Sequence, residues 1–259
     1  MKCMILAAGY ATRLYPLTEN FPKPLLPVGG KTIINRILED LEQIPGITEY
    51  VIISNHKFIQ HFEEWQKQKE QQKLSRPLAV LDDGSVDNEH RLGAAKDIWY
   101  AAEKMGIVGM NDSHLASGSD ELIFVAAGDN VLDFSLAGFL RFAAEKGTSC
   151  VMCHEENELK KLQKTAVITL DENNLVTSYE EKPQEPKGDL AVPPFYIYRP
   201  EDLRRIPEAL AEGCSADAPG SFAAWLSGKV PMHAWKMDGK RYDIGDLKSY
   251  KEVQEVFGK

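Results

Sequence analysis

Cys3-Met4-Ile5-Leu6, running into Ala7-Ala8-Gly9 and then Tyr10-Ala11-Thr12-Arg13-Leu14, decides how this chain is read. The apolar run marks a buried strand. The small residues after it let the backbone come close to a ligand. The loop beyond continues through Pro22-Lys23-Pro24-Leu25-Leu26-Pro27 and carries two cations, Arg13 and Lys23. A strand, a small-residue turn and a cationic loop make a natural grip for a base and a polyphosphate. Each piece alone has an ordinary structural reading, a tight turn or a solvated cation. Their order carries the inference.

Outward from that stretch, strands and helices alternate. Thr32 is placed to cap a helix with Ile33, Ile34, Ile37, Leu38 and Leu41 on its inner face, closed by Pro45-Gly46. Residues 50–53 form a second strand, 57–72 a polar helix buried through Phe58, Phe62 and Trp65, and 78–81 a third strand. An acidic loop over 82–89 precedes Arg91-Leu92-Gly93-Ala94-Ala95, which leads into a helix ending near Ala102. A polar insertion, 111–120, reads as an exposed loop. Strand 122–126 then ends in Ala127-Gly128-Asp129-Asn130. Near-continuous apolar strands alternating with helices predict an α/β fold with a Rossmann-like, mostly parallel central sheet covered on both faces. Ligands bind such sheets at the carboxyl ends of strands, which is where Gly9 and Asp129 fall.

The second half is less regular. We expect a helix over 136–146, a strand over 149–153, a hairpin of 166–170 and 175–180, a strand over 191–198, helices over 201–212 and 221–226, a strand over 230–237 and a final helix over 246–257. No internal repeat or linker interrupts the chain, so one domain with two lobes is expected over 1–259.

The 259 residues, 43% hydrophobic and 27% charged, are ample for a sizeable core. A net charge of −9 argues against general nucleic-acid binding. No apolar run approaches the ~18 residues of a membrane span, and no signal-peptide core precedes Gly9. A cytoplasmic location follows as an expectation. Cys150 and Cys153 are formally C-x-x-C, but residues three apart on a strand face opposite ways and no second pair completes a zinc site. Reduced, structural thiols are expected. Gly29-Gly30-Lys31-Thr32 imitates the end of a phosphate-binding loop, but Leu25 stands where that motif needs a glycine. The six histidines are dispersed.

From Ile5 to Val28 the chain resembles the sugar-1-phosphate nucleotidyltransferases (nucleotide-sugar pyrophosphorylases), nearly residue for residue: small-residue turn, Thr-Arg-Leu, Pro16-Leu17-Thr18, then Pro-Lys-Pro-Leu-Leu-Pro-Val. Within that family it is similar to the glucose-1-phosphate thymidylyltransferase group. The resemblance extends to Gly128-Asp129-Asn130, Glu180-Glu181-Lys182-Pro183 and Arg241-Tyr242-Asp243-Ile244-Gly245. It implies the GT-A-like nucleotidyltransferase fold, with a nucleotide-binding part about 1–130 and a smaller sugar-binding lobe about 131–259, and transfer of a nucleoside monophosphate from an NTP (dTTP or UTP favoured, CTP open) to a sugar-1-phosphate, giving NDP-sugar and pyrophosphate.

That reaction joins two anions, so neutralising charge is most of the task. By the resemblance, Leu6, Ala7, Ala8 and Gly9 offer backbone groups to base and ribose, and Gly93 lies near the base. Arg13 stabilises the departing pyrophosphate, Lys23 neutralises the reacting phosphates, and Lys182 holds the attacking one. Glu181, with Gly128, Asn130 and Tyr196, receives the sugar. Asp129 and Asp243 hold Mg2+. On residues alone, Asp129 serves equally as a helix cap. Asp246 stands where the family has Thr, and is read as the cap of the last helix. Arg241 stands where the family has an aromatic, and Pro193-Pro194-Phe195-Tyr196 where many members have Thr-Gly-Leu-Tyr, so the hexose is not legible. The chain's end soon after Asp243 leads us to expect no fused acyltransferase domain. Two alternatives stay open: a transferase for a non-sugar phosphate such as phosphocholine, which needs an aromatic cage, and a silent NDP-sugar-binding regulatory subunit. The base, the sugar, allosteric feedback and whether the protein is a homo-oligomer also stay open.

Overall fold

The computed structural model describes residues 1–109 and 121–258. The expected insertion at 111–120 lies outside the described residues. The chain forms two compact units. The first is Met1–Leu92, Ala127–Ala137 and Asp238–Lys259; the second is Gly93–Ala126 and Gly138–Met237.

In the first unit, strands Lys2–Leu6, Glu49–Ser54 and Leu78–Asp82 lie parallel, with Glu49–Ser54 in the middle and Leu6 opposite Ile53. The central strand is buried from Tyr50 to Ser54, as a strand covered on both faces must be. Helix Ile33–Glu42 starts at the expected cap: the Asn35 N–H donates to Thr32 Oγ1 at 3.3 Å, and Ile33, Ile34, Ile37, Leu38 and Leu41 are buried. The next helix, Ile59–Gln71, buries Phe62 and Trp65. It is preceded by a tighter turn, His56–Phe58, because Asn55 Oδ1 accepts from the Phe58 N–H at 3.0 Å. Asp246 caps the final helix, Leu247–Phe257, in a reciprocal capping box with Ser249.

The feature absent from the expectations is a two-stranded ladder. Asn130–Leu132 pairs antiparallel with Arg241–Asp243, putting Asp243 opposite Asn130. Val131 and Ile244 anchor it in a cluster with Leu14, Leu26, Val28, Ile33 and Val253. The cationic loop and both metal-ligand candidates therefore share one patch of core.

The second unit holds an antiparallel run of strands in the order Val176–Glu181, Ala166–Leu170, Leu190–Val192, Ser149–Glu155, Phe195–Tyr198 and Ile123–Ala127; Met232–Lys236 adds to Ser149–Glu155 in parallel. With helices beside the strands in both units, the chain is α/β. The parallel pairing expected is concentrated in the first unit.

Two expected elements are each divided in two, both by proline. The strand read over 191–198 is two strands, Leu190–Val192 and Phe195–Tyr198, because Pro193 and Pro194 have no N–H for a ladder. The helix read over 201–212 is two short ones, Pro200–Leu203 and Ile206–Ala211. Pro207 fits the first turn of the second, where its missing N–H costs nothing, and not the interior of a longer helix. Cys3, Cys150 and Cys153 are free and buried. Burial pushes the Cys153 thiol up to about 12, so it stays protonated and inert at neutral pH.

Candidate active site

The turn after the first strand is tied from three sides. Leu6 O accepts from the Gly128 N–H at 2.8 Å, the Ala7 N–H donates to Ile53 O at 2.8 Å, and Asn55 Nδ2 donates to Ala8 O at 2.9 Å. Asn55 is wholly buried. It was missed in the sequence, where its signal is a polar pair, Ser54-Asn55, ending an apolar strand. Ala7 and Ala8 are buried, whereas a Cβ built on Gly9 would meet nothing within 4 Å. The open side of this turn is at Gly9, where a ligand can approach the backbone. Gly128 has the opposite environment: a Cβ there would lie 3.0 Å from Ile5 Cγ2 and 3.2 Å from Leu6 O, so its missing side chain serves packing.

Arg13 occupies a single helical turn, Thr12–Leu14. Leu14 is anchored in the core, and Thr18 Oγ1 donates to Ala11 O at 2.8 Å. The loop is thereby fixed while the guanidinium remains exposed.

Lys23 is the reverse case, a cation at 7% exposure in the turn Lys23–Leu25. Its Nζ donates to Asp129 Oδ2 at 2.8 Å. Asn130 Nδ2 donates to the other oxygen, Asp129 Oδ1, at 2.7 Å, and Arg241 Nη1 donates to Asn130 Oδ1 at 2.6 Å. The same Arg241 nitrogen lies 3.9 Å from Asp243 Oδ1. The fold thus joins Lys23, Asp129, Asn130, Arg241 and Asp243 from three separate stretches of sequence. Arg241 is a participant that motif matching passed over. It settles which way the Asn130 amide faces, and so aims the amide nitrogen at Asp129. Asn130 is 1% exposed, and its visible work is holding that carboxylate.

Asp129 and Asp243 suit a hard divalent cation. They are carboxylates on adjacent strand ends, and the Asp243 side chain is 55% exposed. Among the described residues no group of three or more His, Cys, Asp or Glu comes together. A cation shared with substrate phosphates, as Mg2+ is commonly held, needs no more than these two.

In the second unit, Lys182 has φ +49°, a left-handed conformation that costs a non-glycine residue ~1 kcal/mol, and its N–H donates to Thr165 O at 3.1 Å. Its side chain is exposed, with Nζ 3.8 Å from Glu181 Oε1. Burial raises the Glu181 carboxyl above its usual range, and Lys182 partly opposes that. Glu181 Oε2 has no hydrogen-bond partner among the described residues. Tyr196 is buried and stacks on Tyr198 with ring centroids 5.8 Å apart. Gly93 is placed by backbone: at φ +90°, a Cβ there would come within 2.7 Å of Ala216 O, the atom that accepts from the Ala95 N–H. Gly93→Ala is expected to destabilise the protein by about 2 kcal/mol through both strain and clash. A thermal melt within ~1 °C of the parent would contradict this.

The nucleotidyl transferase family model matches residues 2–258, and the chain belongs to that family. A UTP–glucose-1-phosphate uridylyltransferase of Synechocystis sp. is 25% identical over 252 residues, covering 96% of this chain and 61% of the relative. A glucose-1-phosphate adenylyltransferase of Thermotoga neapolitana is 25% identical over 264 residues, covering 96% of this chain and 59% of that one. The chain spans about three-fifths of the length of these curated relatives. A Bacillus anthracis structure assigned as a glucose-1-phosphate thymidylyltransferase, solved with sucrose, superposes with TM-score 0.80 at 21% identity, over 100% of this chain and 95% of its own. A UDP-glucose pyrophosphorylase complexed with UDP-glucose does so with TM-score 0.77 at 21% identity, over 99% and 97%. The fold of this chain is the fold of those proteins.

Proposed function

We propose that this protein transfers a nucleoside monophosphate from an NTP to a sugar-1-phosphate, releasing pyrophosphate and forming an NDP-sugar. The observation that carries this reading is the Lys23–Asp129–Asn130–Arg241 chain of hydrogen bonds beside Asp243: a buried cation and two carboxylates at strand ends, next to a turn open at Gly9. A sugar-phosphate oxygen attacks the α-phosphorus in line. One phosphorus–oxygen bond forms, and the bond to the β-phosphate oxygen breaks. No general base is required, because a sugar phosphate is already ionised near pH 7. Lys23 offsets negative charge on the NTP phosphates. Arg13, free to reorient on its fixed loop, neutralises the leaving pyrophosphate. Lys182 holds the incoming phosphate, and Glu181 accepts from sugar hydroxyls. Mg2+ held by Asp129 and Asp243 would supply further charge compensation at the phosphates. We place the reaction in the cytoplasm, where NTPs are available.

The phosphocholine alternative calls for an open aromatic cage. The aromatics gathered in the second unit, Tyr196, Tyr198 and Phe222, are instead buried against each other, and Trp225 already carries Arg205 and Lys229 on its ring. The test is the fate of label. Phosphorus from the α position of the NTP should appear in the sugar nucleotide, and γ label in pyrophosphate. Label in inorganic phosphate alone would mean hydrolysis, and would overturn the proposal.

A further inference from the structure

Glu181 raises a question that its family role leaves open: what holds this carboxylate in place? One oxygen, Oε2, is buried without a hydrogen-bond partner among the described residues, and only Oε1 faces Lys182. The answer lies in a glycine. Gly220 is the second residue of helix Pro219–Ser227 and is itself buried. Its φ is not in the left-handed region, so nothing in its backbone demands glycine. In a helical turn, glycine is otherwise a liability relative to alanine. Space explains it. A Cβ on Gly220 would collide with Glu181 Oε2, and would lie 3.3 Å from Glu181 Cδ and 3.5 Å from Tyr196 Oη. Strand Val176–Glu181 packs against this helix. The carboxylate has been let into the hollow left by the absent side chain.

We propose that Gly220 is a positioning residue for sugar-phosphate recognition: by omitting its side chain it seats Glu181 against the helix, turning Oε1 rather than Oε2 toward the ligand. This rests on the reading of Glu181 as the acceptor for sugar hydroxyls. The seat also accounts for the carboxyl's raised pKa, since burial is the dominant cause. The titratable groups that interact with Glu181 include Lys182, Tyr179 and Cys214, and Tyr196 Oη borders the same hollow. A methyl at position 220 would push the carboxylate out toward water, and blunt both the orientation and the desolvation.

The experiment compares Gly220→Ala, Glu181→Ala and the double variant. Gly220→Ala should raise KM for the sugar phosphate about tenfold, the worth of one hydrogen bond to a charged group, while leaving KM for the NTP unchanged. The melt should move by no more than ~2 °C. In the Glu181→Ala background, the same substitution should have no further effect on sugar-phosphate KM. An unchanged KM for Gly220→Ala, or equal losses in both backgrounds, would overturn the assignment. A second readout needs no turnover: the Glu181 carboxyl, followed by carbon NMR on labelled protein, should titrate at lower pH in Gly220→Ala than in the parent. An unshifted titration would also overturn it. A parent protein inactive with every substrate pair would instead remove the proposed function. The titration would still decide whether Gly220 seats the carboxylate.

Discussion

Asp129→Asn is expected to lower kcat by roughly 10³, the loss typical of removing a preorganised electrostatic partner, while the protein stays folded. Three consequences converge on this substitution. The carboxylate proposed to help hold Mg2+ is lost. Lys23, at 7% exposure, loses the negative charge 2.8 Å from its ammonium. The relay from Arg241 through Asn130 loses its acceptor, because an amide at 129 can present only one oxygen where two are now used. The stability cost should be modest, about 1–2 kcal/mol. The Asp129 side chain is 36% exposed, so water takes over part of the lost pairing, and the several kcal/mol of a fully buried broken pair does not apply. Steady-state pyrophosphate release together with a thermal melt would measure both quantities. A kcat within tenfold of the parent would contradict the role given to this carboxylate.

Arg13→Ala is expected to cost roughly 10²–10³ in kcat with almost no change in melting temperature. The separation follows from where the side chain sits. Leu14 anchors the turn in the core and Thr18 ties Ala11, so the loop does not depend on the guanidinium. Arg13 is exposed, and removing it creates no cavity. In the proposed reaction its charge matters only when pyrophosphate departs. Arg13→Lys should recover part of the rate, since a lysine supplies the charge without the two-pronged donor geometry. A loss in KM for the NTP with kcat intact would mean that Arg13 binds the ground state, and the leaving-group role would then fail.

What the amino-acid sequence discloses about this chain is mostly what local chemistry controls. The Thr32 and Asp246 caps are legible because a cap is a short-range contract between a side chain and an N–H a few residues on. The parallel strands are legible because burial on both faces leaves an apolar run. Pro193-Pro194 misled because Ala191 to Tyr198 is apolar throughout, and the prolines divide the strand without changing its hydrophobicity. The Arg241–Asp243 ladder was invisible for another reason: three residues set no period, and their partner lies far away in the chain. The same division runs through the site. Lys23, Asp129 and Asp243 stand out by residue type beside recognisable motifs, but their joining through Asn130 and Arg241 is a product of tertiary pairing. Gly220 leaves no mark in the sequence at all. Its meaning depends on a carboxylate that arrives from a different strand.

The most direct test of the account is pyrophosphate release from the parent protein with Mg2+, run as a matrix of dTTP, UTP, CTP, ATP and GTP against a panel of sugar-1-phosphates. The account predicts turnover for at least one pair, dependent on both substrates and abolished by a chelator. Pyrophosphate release from no pair would contradict it.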